Sequence, residues 1–476
     1  MSLQGRIQQR TNAEGNGKGA ANAQPESENT TVVDPFGELK SRVHHDVITR
    51  LGPRLFAAGD GANSALESKV MEAVEEAIAL DKTPLTRHER AQVTREIADD
   101  ILGYGPLEPF LRDDTISEIM VNNEHSIYVE RRGKLTKSDA RFVDDQHLLR
   151  IIDKIISRVG RRIDEASPMV DARLPDGSRV NAIIPPLAVS GAALTIRKFR
   201  KDPLQMEDLL RFGTLTPRSA QMLEACVRGK LNVLISGGTG SGKTTTLNIL
   251  SSSIPEGERI VTVEDAAELQ LVQDHVITLE SRPANIEGKG QVTIRDLVRN
   301  CLRMRPDRII VGECRGPETI DMLQAMNTGH DGSLTTIHAN NPRDALSRCE
   351  TLVLTGGIEL PLKAIREQIS SAFDLVVQVS RLVDGSRRIT HITEVMKMES
   401  DVVTLQDLFV AKPIDDGEEV TPGASRLLGP LRCTGIKPHF LGKMQENGVT
   451  LPPQFFQLEN ERTTALRAQA FGRVNT

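Results

Sequence analysis

The chain has 476 residues, of which 38% are hydrophobic and 26% are charged, as expected of a soluble globular protein with several domains. The net charge is −6, tryptophan is absent and the tyrosines are Tyr104 and Tyr128, which argues against direct binding of nucleic acid, because such surfaces use basic charge and stacked aromatic rings. The five cysteines are scattered without a CxxC pair, which argues against a disulfide framework or a four-cysteine zinc site.

The N-terminal part of the chain divides into two predicted segments. Residues 1–34 are rich in Gly, Asn, Gln and Ser, which predicts a disordered tail. Residues 35–102 show helical periodicity, with Val70, Val74 and Ile78 on one face, and are predicted to form a helical domain. We expect neither a signal peptide nor a membrane span, because no run approaches the ~18 apolar residues of a span. The protein is therefore predicted to be cytoplasmic.

A change in composition marks residues 103–205, which are predicted to form a mixed α+β domain. The stretches ISEIMVN, SIYVERRGKLTK and DARF are typical of short strands. Further along, Pro175-Asp176-Gly177 is typical of a β-hairpin turn.

Residues 206–412 alternate apolar strands with amphipathic helices, which predicts an α/β fold with a parallel sheet covered on both faces. The predicted strands are LNVLIS, RIVTVED, HVITLES, DRIIVGE, GSLTTIHA and DLVVQVS. Residues 413–476 are punctuated by Pro and Gly and are predicted to be a C-terminal extension. It either packs on the core or reaches a partner.

The stretch LNVLISGGTGSGKTT, residues 231–245, matches the phosphate-loop pattern G-x-x-x-x-G-K-[ST]. Glycines let backbone N–H groups turn toward phosphates, and the following helix places its positive end there. Lys243 is expected to reach the terminal phosphates of ATP, and the Thr244 hydroxyl to bind Mg²⁺. The predicted binding residues are Gly237, Gly238, Thr239, Gly240, Ser241, Gly242, Lys243, Thr244 and Thr245.

Carboxylates and a histidine follow three other predicted strands. Glu264 and Asp265 end one strand, Glu268 follows shortly after, and Glu313 ends another, at the sheet edge where open parallel sheets bind ligands. Such groups can polarise a water or orient the hydration shell of Mg²⁺. The alternative is an acidic loop that solvates a strand end. His338 ends the strand GSLTTIHA and is predicted to sense the γ-phosphate.

In chain order these motifs are GGTGSGKTT, VEDAAE, IIVGECRG and TTIHAN. They resemble the Walker A, Asp box, Walker B and His box of the secretion-ATPase superfamily. GYGPLEPFLRDDTISEIMVN, MVDARLPDGSRVNAIIPP and TIRKF resemble the tight-adherence (Tad/Flp) pilus ATPases of the CpaF type. The resemblance spans about residues 100–412. It implies a hexameric motor with a RecA-like core and a mobile, PAS-like N-terminal domain. The motor would act through an inner-membrane platform protein.

The same resemblance assigns roles to particular residues. Family arginines that contact phosphates correspond to Arg179 and Arg197, which would neutralise charge at the γ-phosphate as arginine fingers do; the alternative is an ordinary arginine on a strand surface. Glu268 and Glu313 correspond to the catalytic carboxylates, with Glu264 or Asp265 as further candidates. Which of them activates the water stays open. Glu313 would act on Mg²⁺ directly or through water.

Two departures favour the tight-adherence branch within the superfamily. Type II secretion and pilus-extension ATPases carry a paired-CxxC zinc insertion, which is missing here, and the conjugation branch generally lacks the N-terminal helical extension. The alternatives are a type IV secretion ATPase that moves DNA or effector proteins, and a nucleotide-gated scaffold without productive turnover. The direction of the motor, its hexamer symmetry and its pilin stay open.

Overall fold

The computed structural model describes residues 36–57, 64–131, 133–199, 203–284, 288–357, 359–413 and 428–458. The predicted disordered tail, residues 1–34, lies outside the described residues. The chain divides into two compact units, Met1–Pro106 and Leu107–Thr476. In the described part of the chain, no helix combines the length and the apolar character that crossing a membrane requires.

The described residues of the first unit form helices α1 (Gly37–Ala57), α2 (Ser64–Leu80) and α3 (Arg87–Leu102). Helix α3 begins at a capping box, in which the Thr86 side chain accepts from the Glu89 N–H and the Glu89 carboxylate accepts from the Thr86 N–H. The helices share one apolar core that includes Val47, Val74 and Ile97. The helical periodicity predicted for this part of the chain is therefore confirmed.

An antiparallel sheet opens the second unit, with the strand order β3-β2-β1-β6-β5-β4. The bounds are β1 Ile116–Asn123, β2 Ser126–Arg131, β3 Lys134–Lys137, β4 Met169–Arg173, β5 Arg179–Ile183 and β6 Ala193–Arg197, with helices α4 (Glu108–Arg112) and α5 (Asp145–Arg158). The predicted hairpin is confirmed, because β4 and β5 pair on either side of its turn. The strand predicted for DARF is wrong: it lies in a loop, where buried Phe142 packs edge-on against His147.

The second sheet has the order β15-β14-β13-β12-β7-β11-β10-β8-β9. Its strands are β7 Val233–Gly237, β8 Ile260–Glu264, β9 Val276–Glu280, β10 Arg308–Val311, β11 Leu334–Ile337, β12 Leu375–Arg381, β13 Arg387–Glu399, β14 Val402–Ala411 and β15 Leu431–Cys433. The run from β12 to β9 is parallel, as predicted. Strands β13, β14 and β15 extend it antiparallel and were not anticipated.

Helices cover both faces of this sheet, and the α/β class is confirmed. They are α6 (Met206–Arg211), α7 (Pro217–Arg228), α8 (Lys243–Ser251), α9 (Ile294–Cys301), α10 (Glu318–Asn327), α11 (Pro342–Thr355), α12 (Leu362–Ala372) and α13 (Leu441–Glu446). One core lies under α7, α8 and α13, and the other under α9 to α12. Burial of these two apolar faces is the main stabilising contribution.

The C-terminal segment, defined here as residues 428–458, is part of this core. Phe440, Met444 and Phe456 are buried in the same cluster as α7 and α8. At the surface of that cluster, Lys443 Nζ lies 2.8 Å from Asp374 Oδ2. The segment therefore packs on the sheet. Of the two alternatives for the C-terminal extension, packing on the core is the one observed for residues 428–458.

Candidate functional site

The phosphate loop runs from the end of β7 into the start of α8, as predicted. Gly240 and Gly242 have φ angles of 68° and 100°, in the left-handed region that favours glycine. A Cβ atom at Gly237 would collide with the Val379 carbonyl and with Ser241 Oγ. The Ser241 hydroxyl is buried and has no hydrogen-bond partner among the described residues. The loop is therefore a backbone cradle with polar groups still to be satisfied, which suits a phosphate chain.

Lys243 is buried at the base of this loop, with 8% of the residue exposed. Its Nζ donates to the Gly238 carbonyl at 3.2 Å and lies 3.3 Å from Nδ1 of His338. Burial lowers the pKa of Lys243, and the nearby Glu313 carboxylate opposes that shift. The outer loop residues Thr239 and Thr245 are exposed.

His338 joins the lysine to the Walker B carboxylate. Its Nε2 lies 2.7 Å from Glu313 Oε1, and burial together with the charge of Lys243 lowers the pKa of the imidazole. The approach of Nε2 to Oε1 is a close contact without hydrogen-bond geometry, because Glu313 Oε1 is buried and has no hydrogen-bond partner among the described residues. Lys243, His338 and Glu313 are thus brought together from three strand ends of one sheet.

Glu264 lies at the end of β8 with 4% exposure, and its carboxylate accepts from the backbone N–H groups of Glu268 and Leu269. Burial raises the pKa of Glu264 to about 7, although these hydrogen bonds oppose the shift. These hydrogen bonds fix the backbone of the Asp-box loop, which follows β8. Asp265 points outward, with Oδ1 3.1 Å from the Ser281 hydroxyl.

Arg315 is a residue of this site that the sequence reasoning missed. Its guanidinium lies 2.6 Å from Glu313 Oε2 and 3.4 Å from Asp265 Oδ2, and therefore joins the Walker B and Asp-box carboxylates. The signal was its position in GECRG, two residues after Glu313, which places the two side chains at the same strand end.

The two predicted arginines lie in one row across the first sheet. Arg179 on β5 pairs with Arg197 on β6 and with Arg173 on β4, and Glu118 on β1 is opposite Arg197. Like charges directly opposite each other destabilise a sheet unless counter-charges are near. Arg173 was missed, because its place in the row follows from strand register and not from a motif.

Each arginine of this row has a carboxylate partner. Arg179 Nε lies 3.0 Å from Glu268 Oε1, in the loop that follows β8 of the second sheet, whereas Arg197 Nε lies 2.6 Å from Glu118 Oε1 in its own sheet. Arg173 Nη2 lies 2.9 Å from Glu280 Oε2. Arg179 and Arg173 therefore connect the two sheets of the second unit, and Arg197 does not.

A cleft of about 220 Å³ lies where the arginine row meets the start of α8. Three of the seven predicted residues outside the loop line it, whereas Glu264, Asp265, Glu313 and His338 do not. Its lining residues include Arg179, Arg197, Thr244, Thr245, Asn248 and Glu268.

A third set of contacts comes from the turn between β12 and β13, which sequence reasoning also missed. Arg387 Nε donates to the Gly240 carbonyl at 3.0 Å, on the phosphate loop. Arg381, directly opposite Arg387 in the hairpin, donates to the Gly133 carbonyl at 2.8 Å. This hairpin touches both the phosphate loop and the first sheet.

The residues present fit a nucleotide better than a protein-bound metal. Across the described residues, no group of three or more His, Cys, Asp or Glu could hold a metal ion. Mg²⁺ commonly keeps several waters and binds through one or two protein groups and the phosphates of the nucleotide. Thr244 and Glu313, beside the cradle, are compatible with that mode.

A protein-family model described as "Type II/IV secretion system protein" matches residues 100–408, which is more than half of the chain. The chain therefore belongs to this family. The match begins at the end of α3, so that most of the helical unit lies outside it.

Named relatives agree with this assignment. A protein of Mycobacterium tuberculosis, described provisionally as a conjugal transfer protein, is 38% identical over 314 residues, which are 65% of this chain and 89% of that protein. The type IV secretion system protein VirB11 of Brucella abortus is 32% identical over 318 residues, which are 61% of this chain and 87% of that protein. The crystal structure of the VirB11 ATPase of Brucella suis, in complex with sulphate, is similar with 29% identity and a TM-score of 0.34, covering 60% of this chain and 94% of that one.

Proposed function

We propose that the protein is a Mg²⁺-dependent ATP hydrolase that works as a motor of a secretion system. The observation that carries this proposal is the cleft in which Arg179 and Glu268 meet the first turn of α8 beside the phosphate loop. Arginine, carboxylate, lysine and a glycine cradle are the groups that phosphoryl transfer requires. The proposed architecture is a RecA-like core with a PAS-like N-terminal domain.

The phosphate loop would hold ATP through its backbone N–H groups and Lys243. Thr244 would bind Mg²⁺ directly, and Glu313 would do so directly or through water. The ion would supply charge neutralisation between the phosphates. Lys243 Nζ lies at hydrogen-bond distance from His338 Nδ1. His338 would therefore lose this contact when the lysine turns to a γ-phosphate, and could sense its arrival.

Arg179 would act as an arginine finger after it leaves Glu268. The cleft of about 220 Å³ is smaller than the roughly 300–1,000 Å³ of typical ligand pockets. We therefore expect the ion pair of Arg179 with Glu268 to open as ATP enters, which would free a carboxylate when its arginine meets phosphate. Either Glu268 or Glu313 then orients the water, and opening and closing of the two sheets would transmit the mechanical stroke.

The proposed assembly is a cytoplasmic homo-hexamer that associates peripherally with the inner membrane. Its partner would be a pilus platform protein, and its task the assembly of a tight-adherence pilus, with retraction by the same motor left open. The helical unit outside the family match supports this branch. No direct role for nucleic acid is proposed.

A second candidate is a type IV secretion ATPase that moves DNA or effector proteins. It is favoured by the names of the relatives, which include conjugal transfer proteins and VirB11. Genes for pilins and a platform protein next to the coding gene would favour the pilus motor, and conjugation genes would favour this candidate.

Steady-state phosphate release from ATP, with and without Mg²⁺, tests the enzyme. We expect Mg²⁺-dependent release by a particle of six copies in light scattering. ATP binding without release would contradict hydrolysis and leave a nucleotide-gated scaffold. Strong stimulation by single- or double-stranded DNA would contradict the pilus assignment.

A further inference from the structure

Gln378 is a polar residue in the middle of an apolar strand. Its neighbours Val376, Val377 and Val379 in β12 are buried, and Gln378 itself is 1% exposed. A buried amide costs free energy unless its donors and acceptors find partners, whereas an apolar side chain has no such requirement. Packing alone does not explain a glutamine at this position.

The amide of Gln378 is bonded to the loop that carries His338. Gln378 Nε2 donates to the Ala339 carbonyl at 3.3 Å, and Ala339 follows His338 directly. His338 in turn contacts Glu313 and Lys243. The hydrogen bond of Gln378 is thus with the backbone next to His338, one of the predicted catalytic residues.

The other end of the amide lies beside the base of the phosphate loop. Gln378 is directly opposite Ser236 of β7, on the same face of the sheet, and Ser236 precedes Gly237. Gln378 Oε1 and Ser236 Oγ are both buried without a hydrogen-bond partner among the described residues. Unsatisfied polar atoms at one point of a sheet are typical of functional sites, where stability is lowered for function.

The next residue of β12 completes this arrangement. The Val379 carbonyl occupies the space in which a Cβ of Gly237 would lie. One short stretch of β12 thus supports the first glycine of the phosphate loop through its backbone and the His338 loop through its side chain.

We propose that Gln378 is a positioning residue that holds the His338 loop in register with the phosphate loop. The proposal rests on the proposed ATP hydrolysis. Fixing the Ala339 carbonyl keeps the imidazole between Glu313 and Lys243, and a displacement of about 1 Å at such a site can reduce the rate of the reaction by ~10²-fold.

The test compares Gln378→Met with Gln406→Met. Methionine keeps the length of glutamine and removes the donor, and Gln406, in β14, receives the same substitution in the same sheet away from the site. We expect Gln378→Met to lower kcat for phosphate release by ~10-fold and to change KM for ATP by less than ~2-fold, because the loop is misplaced while the cradle remains. Gln406→Met should leave both constants unchanged.

A double-mutant cycle with His338→Ala separates positioning from structural support. If Gln378 acts through His338, Gln378→Met causes no further loss once His338 is alanine. A loss that persists in that background, or a Gln378→Met variant with the wild-type kcat, would overturn the inference. So would a His338→Ala variant with full turnover.

Hydrogen exchange provides a readout that does not depend on turnover. We expect the amides of residues 338–341 to exchange faster in Gln378→Met than in the wild type or in Gln406→Met, since the loop has lost its anchor. Unchanged exchange would contradict the inference. Wild-type protein without phosphate release would instead contradict the proposed function, and exchange would still show whether Gln378 holds the loop.

Discussion

The phosphate-loop edge of the second sheet and the arginine row of the first sheet differ in how firmly they hold their charged groups. Lys243 and Glu264 are 8% and 4% exposed, and both are fixed by contacts with neighbouring loops. The side chains of Arg179 and Arg197 are 32% and 57% exposed, and each is held by an ion pair. Exposed ion pairs contribute little to stability, so Arg197 can change partner at low cost, whereas Arg179 is part-buried and also donates to the Ala266 carbonyl.

Under the proposed function, this difference would assign binding to the phosphate loop and movement to the arginine row. Buried groups at the phosphate loop are preorganised, which suits a site that must meet the same phosphates in each cycle. The arginines are paired with carboxylates that a phosphate can replace. Arg179 reaches across to the second sheet and Arg197 pairs within its own sheet, so the two are not equivalent.

Loss of the buried lysine breaks the preorganised side and has the largest expected effect. Lys243→Ala should lower kcat for phosphate release by ~10³-fold or more, because it removes the buried ammonium group at the base of the loop. The matched control is Lys397→Ala, at an exposed position of β13. Retention of more than a tenth of the activity by Lys243→Ala would contradict the role of this side chain.

Separate replacement of the two arginines sharpens the comparison within the row. Arg179→Ala should lower kcat by ~10²-fold, and Arg197→Ala by ~10-fold, because Arg179 already reaches the second sheet. The measurement is steady-state phosphate release at saturating ATP. Equal losses would mean that both arginines act on the phosphates in the same way.

The buried carboxyl of Glu264 makes stability depend on pH. Its folded-state pKa of about 7 lies above the ordinary 4.5, so between these values the folded state keeps a proton that the unfolded state has lost. Stability contributed by this group is present below pH 4.5 and is lost as the pH rises through 7, by about 1–3 kcal/mol. Glu264→Gln should therefore reduce the fall in Tm between pH 5 and pH 8 by about 3 °C.

The control variant for the pH dependence of Tm is Glu256→Gln, which makes the same substitution at an exposed position. Thermal unfolding of the three proteins at both pH values gives the comparison. An identical pH dependence in the wild type and in Glu264→Gln would show that the carboxyl titrates normally.

Release of the second arginine from its partner has the smallest expected effect. Glu118→Gln removes the charge that holds Arg197 within the first sheet. The freed guanidinium should lower KM for ATP by ~2-fold, with kcat unchanged, because an exposed pair is worth less than about 1 kcal/mol. A raised KM would indicate that Glu118 orients Arg197 and does not compete for it.

The parts of the site that were predictable are those encoded by contiguous residues. The glycines of the phosphate loop and the strand before it form one local pattern, and the strand ends that carry Glu264, Glu313 and His338 follow from the parallel topology. The partner of Arg179 and the place of Arg173 depend on sheet register and on the distance between two sheets. Gln378 was missed because a single glutamine in DLVVQVS carries no motif.

The same reasoning explains the strands that were not anticipated. Strand β13 covers Arg387–Glu399 and includes the polar residues Thr393 and Glu394, and β14 covers Val402–Ala411 and includes Asp407. Thr393 and Glu394 are nevertheless buried, since Asp407 accepts from Thr393 and Glu394 accepts from the His439 and Phe440 backbone. The sequence shows that these strands contain polar residues, but it does not show the hydrogen-bond partners that allow those residues to be buried.

The C-terminal segment has a practical consequence for expression of the matched family region alone. The family match ends at residue 408, inside β14, so a fragment trimmed to that boundary would sever a strand and discard β15. It would also uncover the surface that Phe440, Met444 and Phe456 occupy, at about 1.5–3 kcal/mol for each side chain. A fragment designed to stay soluble should extend to residue 458.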